Sequence, residues 1–115
     1  MTEKTTTEAS RELLEEMRGN VMWLTINREE KRNSISPDVM AGLSDALTRA
    51  NKNRDVRAVV ITGAGTRAFC AGADLQSGKS FRFDYSEPYV AFANLLRQAK
   101  NSSVPLIARI NGACM

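Results

Sequence analysis

The run Gly63-Ala64-Gly65-Thr66-Arg67-Ala68-Phe69-Cys70-Ala71-Gly72-Ala73-Asp74-Leu75 is dense in small residues and follows an apolar stretch, "RAVVIT". Two kinds of chemistry use such a run. In the first, glycines directly after a strand open a helix whose N-terminus holds a dinucleotide pyrophosphate. Gly63, Gly65 and Ala68 satisfy G-x-G-x-x-[G/A], and Asp84 lies about 20 residues on, where a ribose-binding carboxylate belongs. In the second, "AFCAGADL" is a loop in which Ala71, Gly72 and Ala73 let a ligand approach the main chain, and successive N–H groups stabilise a developing oxyanion. The two differ in what must follow the glycines. The dinucleotide (Rossmann) fingerprint needs a helix at once, and "FCAGADLQSGKS" offers two more glycines and no helical stripe. The loop reading is preferred.

Other chemistry is narrowed by composition. The chain has no histidine, so these residues contain no Ser-His-Asp triad, no Cys-His pair and no His-ligated zinc. A general base has to be a carboxylate, a lysine or a group outside this chain. Cys70 lacks a base beside it and reads as a small core hydrophobe. Asp74 reads as a carboxylate capping backbone donors at the next turn, in preference to a general base. The two cysteines, Cys70 and Cys114, have no metal-ligand spacing and are too few for a disulfide framework. The net charge of +3 comes from 16 basic and 13 acidic residues mixed along the chain, which argues against a nucleic-acid groove. Arg28, Lys31 and Arg32 do cluster, with Glu29 and Glu30 among them, and leave room for a local anion site. The N-terminus has no apolar signal region, and no apolar run approaches the roughly 20 residues that span a bilayer, so no membrane partner and a cytoplasmic location are expected.

The elements that must position these residues follow from periodicity. With 115 residues, 43% of them hydrophobic and 25% charged, one packed domain is expected. Residues 1–10, polar and Thr-rich, predict a flexible tail, and residues 11–115 the domain. Strand-like runs at Glu12–Met17 and Val21–Ile26 flank the turn signal Gly19-Asn20 and predict a hairpin. Ser36 and Pro37 read as N-cap and first residue of a helix with Val39, Met40, Leu43, Ala46, Leu47 and Ala50 on its buried face, ending near Asn51. Residues 57–62 predict a strand covered on both faces. Pro88 starts a second helix with Tyr89, Phe92, Ala93, Leu96 and Ala99 on one side, and "LIARI" a last strand ending at the turn Asn111-Gly112. Trp23 reads as a sheet residue packed on a neighbour. The order is α/β, and it stops after a strand and a turn, where a covering helix would be expected.

"NREEKRNSIS", a helix, "VRAVVITGAGTRAFCAGADL" and "VPLIARINGACM", in this order, resemble the N-terminal half of the crotonase (enoyl-CoA hydratase/isomerase) superfamily from about residue 12 onward. The resemblance implies an α/β fold with a crotonase-like ββα spiral core, here truncated. It implies that the backbone N–H of Ala73 is one of two oxyanion donors for the thioester carbonyl of an acyl-CoA. Ala71, Gly72, Asp74 and Leu75 would then line the CoA, and Lys31, Arg32 and Asn33 would lie near its phosphate-bearing nucleotide end. The family's second donor comes from a glycine-rich turn after the strand matching "LIARINGA", and its acidic catalytic residues lie further on, so neither is among these residues. The reaction implied is of enoyl-CoA hydratase/isomerase type, through a thioester enolate. No cofactor is implied beyond the coenzyme A of the substrate, and no metal. The full-length family assembles as homotrimers or hexamers. The competing expectation is a catalytically incomplete fragment, or a CoA-binding or assembly module without activity.

Overall fold

The computed structural model describes the backbone of residues 7–10, 12–72 and 91–114, and the side chains of 12–72 and 93–114. Alternating burial along Val21–Ile26 marks a half-buried strand, β3, paired antiparallel with β2 (Leu13–Arg18) across the two-residue turn Gly19-Asn20. The turn is itself docked: Asn20 Nδ2 donates to Asp55 O (2.9 Å) and Arg57 N–H to Asn20 O (2.7 Å). Outside β2 lies β1 (Thr7–Ser10), so part of the stretch expected to be a flexible tail pairs as a strand.

Helix α1 spans Pro37–Lys52. Ser36 caps it as expected, its Oγ accepting from Val39 N–H (3.2 Å), and the six residues assigned to its inner face are all buried. They pack on Leu13, Met22, Leu24 and Ile26 of the hairpin and on Val59. A bidentate ion pair from Arg49 to Glu15 (2.6 and 2.7 Å) adds a second tie between α1 and β2. Trp23 carries the Arg18 guanidinium over its ring at 4.1 Å, a cation–π contact that covers this sheet residue.

Beyond α1, β4 (Ala58–Gly63) pairs parallel with β3, and β6 (Leu106–Arg109) pairs parallel with β4. The sheet order is β1-β2-β3-β4-β6. A smaller parallel pair is formed by β5 (Ala68–Cys70) and β7 (Ala113–Cys114). Each long parallel strand is thus followed by a short segment: a turn ending in the single bridge residue Ile35 after β3, β5 after β4, and β7 after β6. Helices α1 and α2 (Ala91–Lys100) come after the first two of these segments in the chain.

Helix α2 corrects one sequence expectation. Leu96, placed on the inner face by the sequence, stands 55% exposed and its neighbour Leu95 is buried at 8% exposure, while Ala99 of the predicted face packs against the core. The reason is polar: Gln98 donates to Ser44 O (2.9 Å) and Thr48 Oγ1 (2.8 Å) and accepts from Ser44 Oγ (2.9 Å), which sets the rotation of α2 on α1. The predicted start at Pro88 lies outside the described residues. Among the described residues no helix is long and apolar enough to cross a membrane.

Candidate functional site

The three parallel strands end at one level, with Ile26 opposite Gly63 and Thr62 opposite Arg109. In α/β sheets, ligands bind outside these carboxyl ends. Here three loops meet: residues 27–36 after β3, residues 64–67 leading into β5, and residues 110–112 after β6.

Asn33 lies at their junction. It is fully buried, with φ +58, and all of its amide is used. Its Oδ1 accepts from Arg28 N–H (3.0 Å), and its Nδ2 donates to Ala64 O (3.0 Å) and Ala68 O (2.7 Å). Asn111 approaches the same loop from the other side. Its Nδ2 donates to Gly65 O (2.8 Å) and Ala68 O (3.2 Å), and its Oδ1 accepts from Gly63 N–H (3.0 Å). Both lone pairs of the Ala68 carbonyl are thereby taken by side chains from two different loops. Gly63 has to be glycine for this packing, because a Cβ there would sit 2.5 Å from Phe69 O and 2.7 Å from Asn33 Nδ2.

The first and third loops differ in character. Arg28 turns inward at 8% exposure, donating to Ser34 O (2.8 Å) and Ser34 Oγ (3.0 Å), with its Nε 3.6 Å from the Glu12 carboxylate, which also accepts from the Ser36 hydroxyl. Lys31 and Arg32 are exposed, Lys31 closing a 3-10 turn over Glu29–Lys31. Of the predicted basic cluster, only these two face solvent. Asn111 was legible in sequence as a turn signal alone, and Arg28 as a member of the basic cluster. For Asn111, a polar residue directly after the apolar run was the available sign.

The loop after β5 is zipped to the "KRN" loop. Ala71 N–H donates to Arg32 O (3.1 Å) and Ile35 N–H to Gly72 O (2.8 Å). Gly72 has φ +94, a conformation that glycine adopts without the penalty a Cβ carries, and its N–H donates to Cys70 Sγ at 3.4 Å. Lys31, Arg32, Ala71 and Gly72 are brought together. Asn33, expected with them near the nucleotide end of CoA, is adjacent and buried, and its side chain ties loops together. Ala73, Asp74 and Leu75 lie outside the described residues, as does Asp84. The dinucleotide reading fails on β5 itself, since the residues after Gly65 form a strand where the fingerprint requires a helix. Cys70 is buried, and its thiol is pushed upward chiefly by desolvation, with the Gly72 N–H acting the other way and Cys114 adding to the rise. Among the described residues no group of three or more His, Cys, Asp or Glu could hold a metal ion.

An α/β domain in which strand, short segment and helix follow one another, with a backbone loop and two exposed cations at the carboxyl ends of its parallel strands, defines the class. Residues 16–115 match the enoyl-CoA hydratase/isomerase family, and the chain belongs to it. It is 31% identical over 97 residues to (E)-benzylidenesuccinyl-CoA hydratase of Thauera aromatica, covering 84% of this chain and 38% of that protein. The carnitinyl-CoA dehydratase structure from Mycobacterium avium 104 superposes with TM-score 0.70 at 43% identity, covering 88% of this chain and 38% of that one. The enoyl-CoA hydratase structure from Bacillus anthracis gives TM-score 0.76 at 30% identity, covering 88% and 40%. The fold is that of the crotonase enzymes, and the chain spans about two-fifths of the length of the relatives it matches.

Proposed function

We propose that this chain binds an acyl-CoA thioester along the loop after β5 and polarises its carbonyl for an enolate-forming reaction of enoyl-CoA hydratase/isomerase type. The observation that supports this most directly is the zip between Arg32–Ile35 and Ala71–Gly72, which sets two exposed cations beside a backbone loop. Lys31 and Arg32 pair with CoA phosphates. Ala71, Gly72, Asp74 and Leu75 line the rest of the CoA, and Asn33 acts by holding the loops. By the family resemblance, the oxyanion donor is the backbone N–H of Ala73. Such a donor is worth about 2.7–4 kcal/mol in the transition state.

Proton transfer is assigned to groups outside these residues. Of the glutamates in β2 and just before it, Glu12 serves Arg28 and Ser36, Glu15 serves Arg49, and Glu16 serves Arg18. The coverage of about two-fifths of the relatives favours a second reading, a CoA-binding or assembly module that does not complete the reaction alone. Homotrimers or hexamers belong to the first reading, with the full family length present.

Calorimetric titration with a short enoyl-CoA and with dephospho-CoA tests the binding reading. Saturable binding weakened about tenfold (1.4 kcal/mol) by the Lys31→Ala/Arg32→Ala double change is expected. Equal affinity in parent and variant refutes the phosphate contact. Following the enoyl-thioester absorbance in the same samples separates the two readings: hydration by the 115-residue chain would refute the incomplete-site reading.

A further inference from the structure

Asn111 is followed by Gly112, and it is the only asparagine of the chain with glycine next to it. The pairing matters because the backbone nitrogen of the next residue can attack an asparagine side-chain carbonyl carbon. Glycine, with no Cβ, neither shields that nitrogen nor restricts the turn it must make. The fold opposes the reaction. Asn111 is half-buried, its Nδ2 donates to Gly65 O (2.8 Å) and Ala68 O (3.2 Å), and its Oδ1 accepts from Gly63 N–H (3.0 Å). Gly112 is pressed against the loop before β5, where a Cβ would sit 2.7 Å from Arg67 O and 2.8 Å from Ala68 N. The segment beyond is weakly held. β7 has two residues, both exposed, and so short an edge opens locally at little cost.

We propose that Asn111 is a modification site gated by the fold: it deamidates when residues 111–114 lift from the clasp, and the product cannot rebuild the clasp. The Gly112 nitrogen bonds to Asn111 Cγ, the Cγ–Nδ2 bond breaks, and the amide leaves as ammonia with the proton from Gly112 N–H. Water then opens the cyclic imide at either carbonyl, giving aspartate or isoaspartate. No electrons are transferred, and water is the co-reactant. A carboxylate accepts hydrogen bonds and donates none. Aspartate can still accept from Gly63 N–H, but Gly65 O and Ala68 O lose a donor and face negative oxygens in its place. The change is one-way, and it falls on the loop that joins β4 to β5. This inference rests on the Asn111 clasp and stands apart from the acyl-CoA reading.

The test is incubation of the 115-residue chain at mildly alkaline pH with reductant, in native buffer and in urea above the unfolding midpoint. Peptide mapping separates asparagine, aspartate and isoaspartate, and a free peptide of residues 106–115 in both buffers corrects for urea itself. In urea Asn111 should convert ahead of every other asparagine. Gly112→Ala should slow it there about tenfold, in a setting where the clash of the added methyl with Arg67 and Ala68 has no bearing. In native buffer the parent should convert at least about tenfold more slowly than in urea, the factor set by an opening that costs about 1.4 kcal/mol. Conversion as fast in native buffer as in urea would overturn the gating, and another asparagine converting first in urea, or an unslowed Gly112→Ala, would overturn the site. The consequence is read from urea midpoints. Asn111→Asp should lie below Asn111→Ala, because it turns a carboxylate toward carbonyls that alanine leaves empty. A midpoint equal to or above that of Asn111→Ala would refute the one-way loss of the clasp.

Discussion

The Ala68 carbonyl shows how much of this site is held by side chains. Replacing Asn33 with Ala removes both bonds it donates and the acceptor for Arg28 N–H, all in a fully buried setting. Urea unfolding should show a loss of about 3 kcal/mol, by the cost of buried groups left unsatisfied. Asn111→Ala, in a half-buried position, should lose about 1 kcal/mol. Asn33 was legible as part of a polar loop motif, and nothing local in "KRN" tells an inward amide from an outward one. Its partners at Ala64 and Ala68 are 31 and 35 residues away. Cys70 gives a pH signature. Its folded thiol titrates above the ordinary range, so the unfolded chain ionises first. That contribution to stability is whole below the ordinary thiol range and is lost as pH rises through it to the raised folded value. Under reducing conditions the urea midpoint should fall from neutral to alkaline pH, and Cys70→Ala should flatten that component.

Elements with strong local signals were legible from the sequence, and elements oriented by tertiary contacts were only partly so. The hairpin announces itself through alternation and Gly19-Asn20, and α1 through Ser36, Pro37 and six apolar residues on one face. Ser36→Ala should destabilise by about 1 kcal/mol through the lost cap. In α2 the adjacent Leu95 and Leu96 satisfy a helical stripe equally well, and the bonds of Gln98 to α1 decide between them. The two residues make a direct comparison: Leu95→Ala should cost about 2–3 kcal/mol and Leu96→Ala under about 0.5 kcal/mol in the same unfolding experiment. The small β5–β7 pair was hidden for another reason. Strands of three and two residues carry no period to read.

At the scale of the whole molecule, β6 is an edge strand of the large sheet among the described residues, with Ile107 in it 49% and Ile110 just after it 59% exposed, and Leu96 of α2 is exposed as well. Open strand edges bearing apolar side chains template further pairing. Sedimentation velocity should therefore show association that grows with concentration, and Ile107→Lys should reduce it; a parent that stays monomeric throughout would contradict this. The α/β class and the succession of long strands and helices along the chain were legible because each long strand is a separate apolar run. The clasp at Ala68 was not, since it joins three of those runs at their ends. It also gives the molecule a clock. On the ribosome, Asn33 and Ala68 are both available well before Asn111 emerges, so the first half of the clasp can close during synthesis and the second only after residue 111 is free. A stalled or shortened nascent chain would carry this loop held from one side alone.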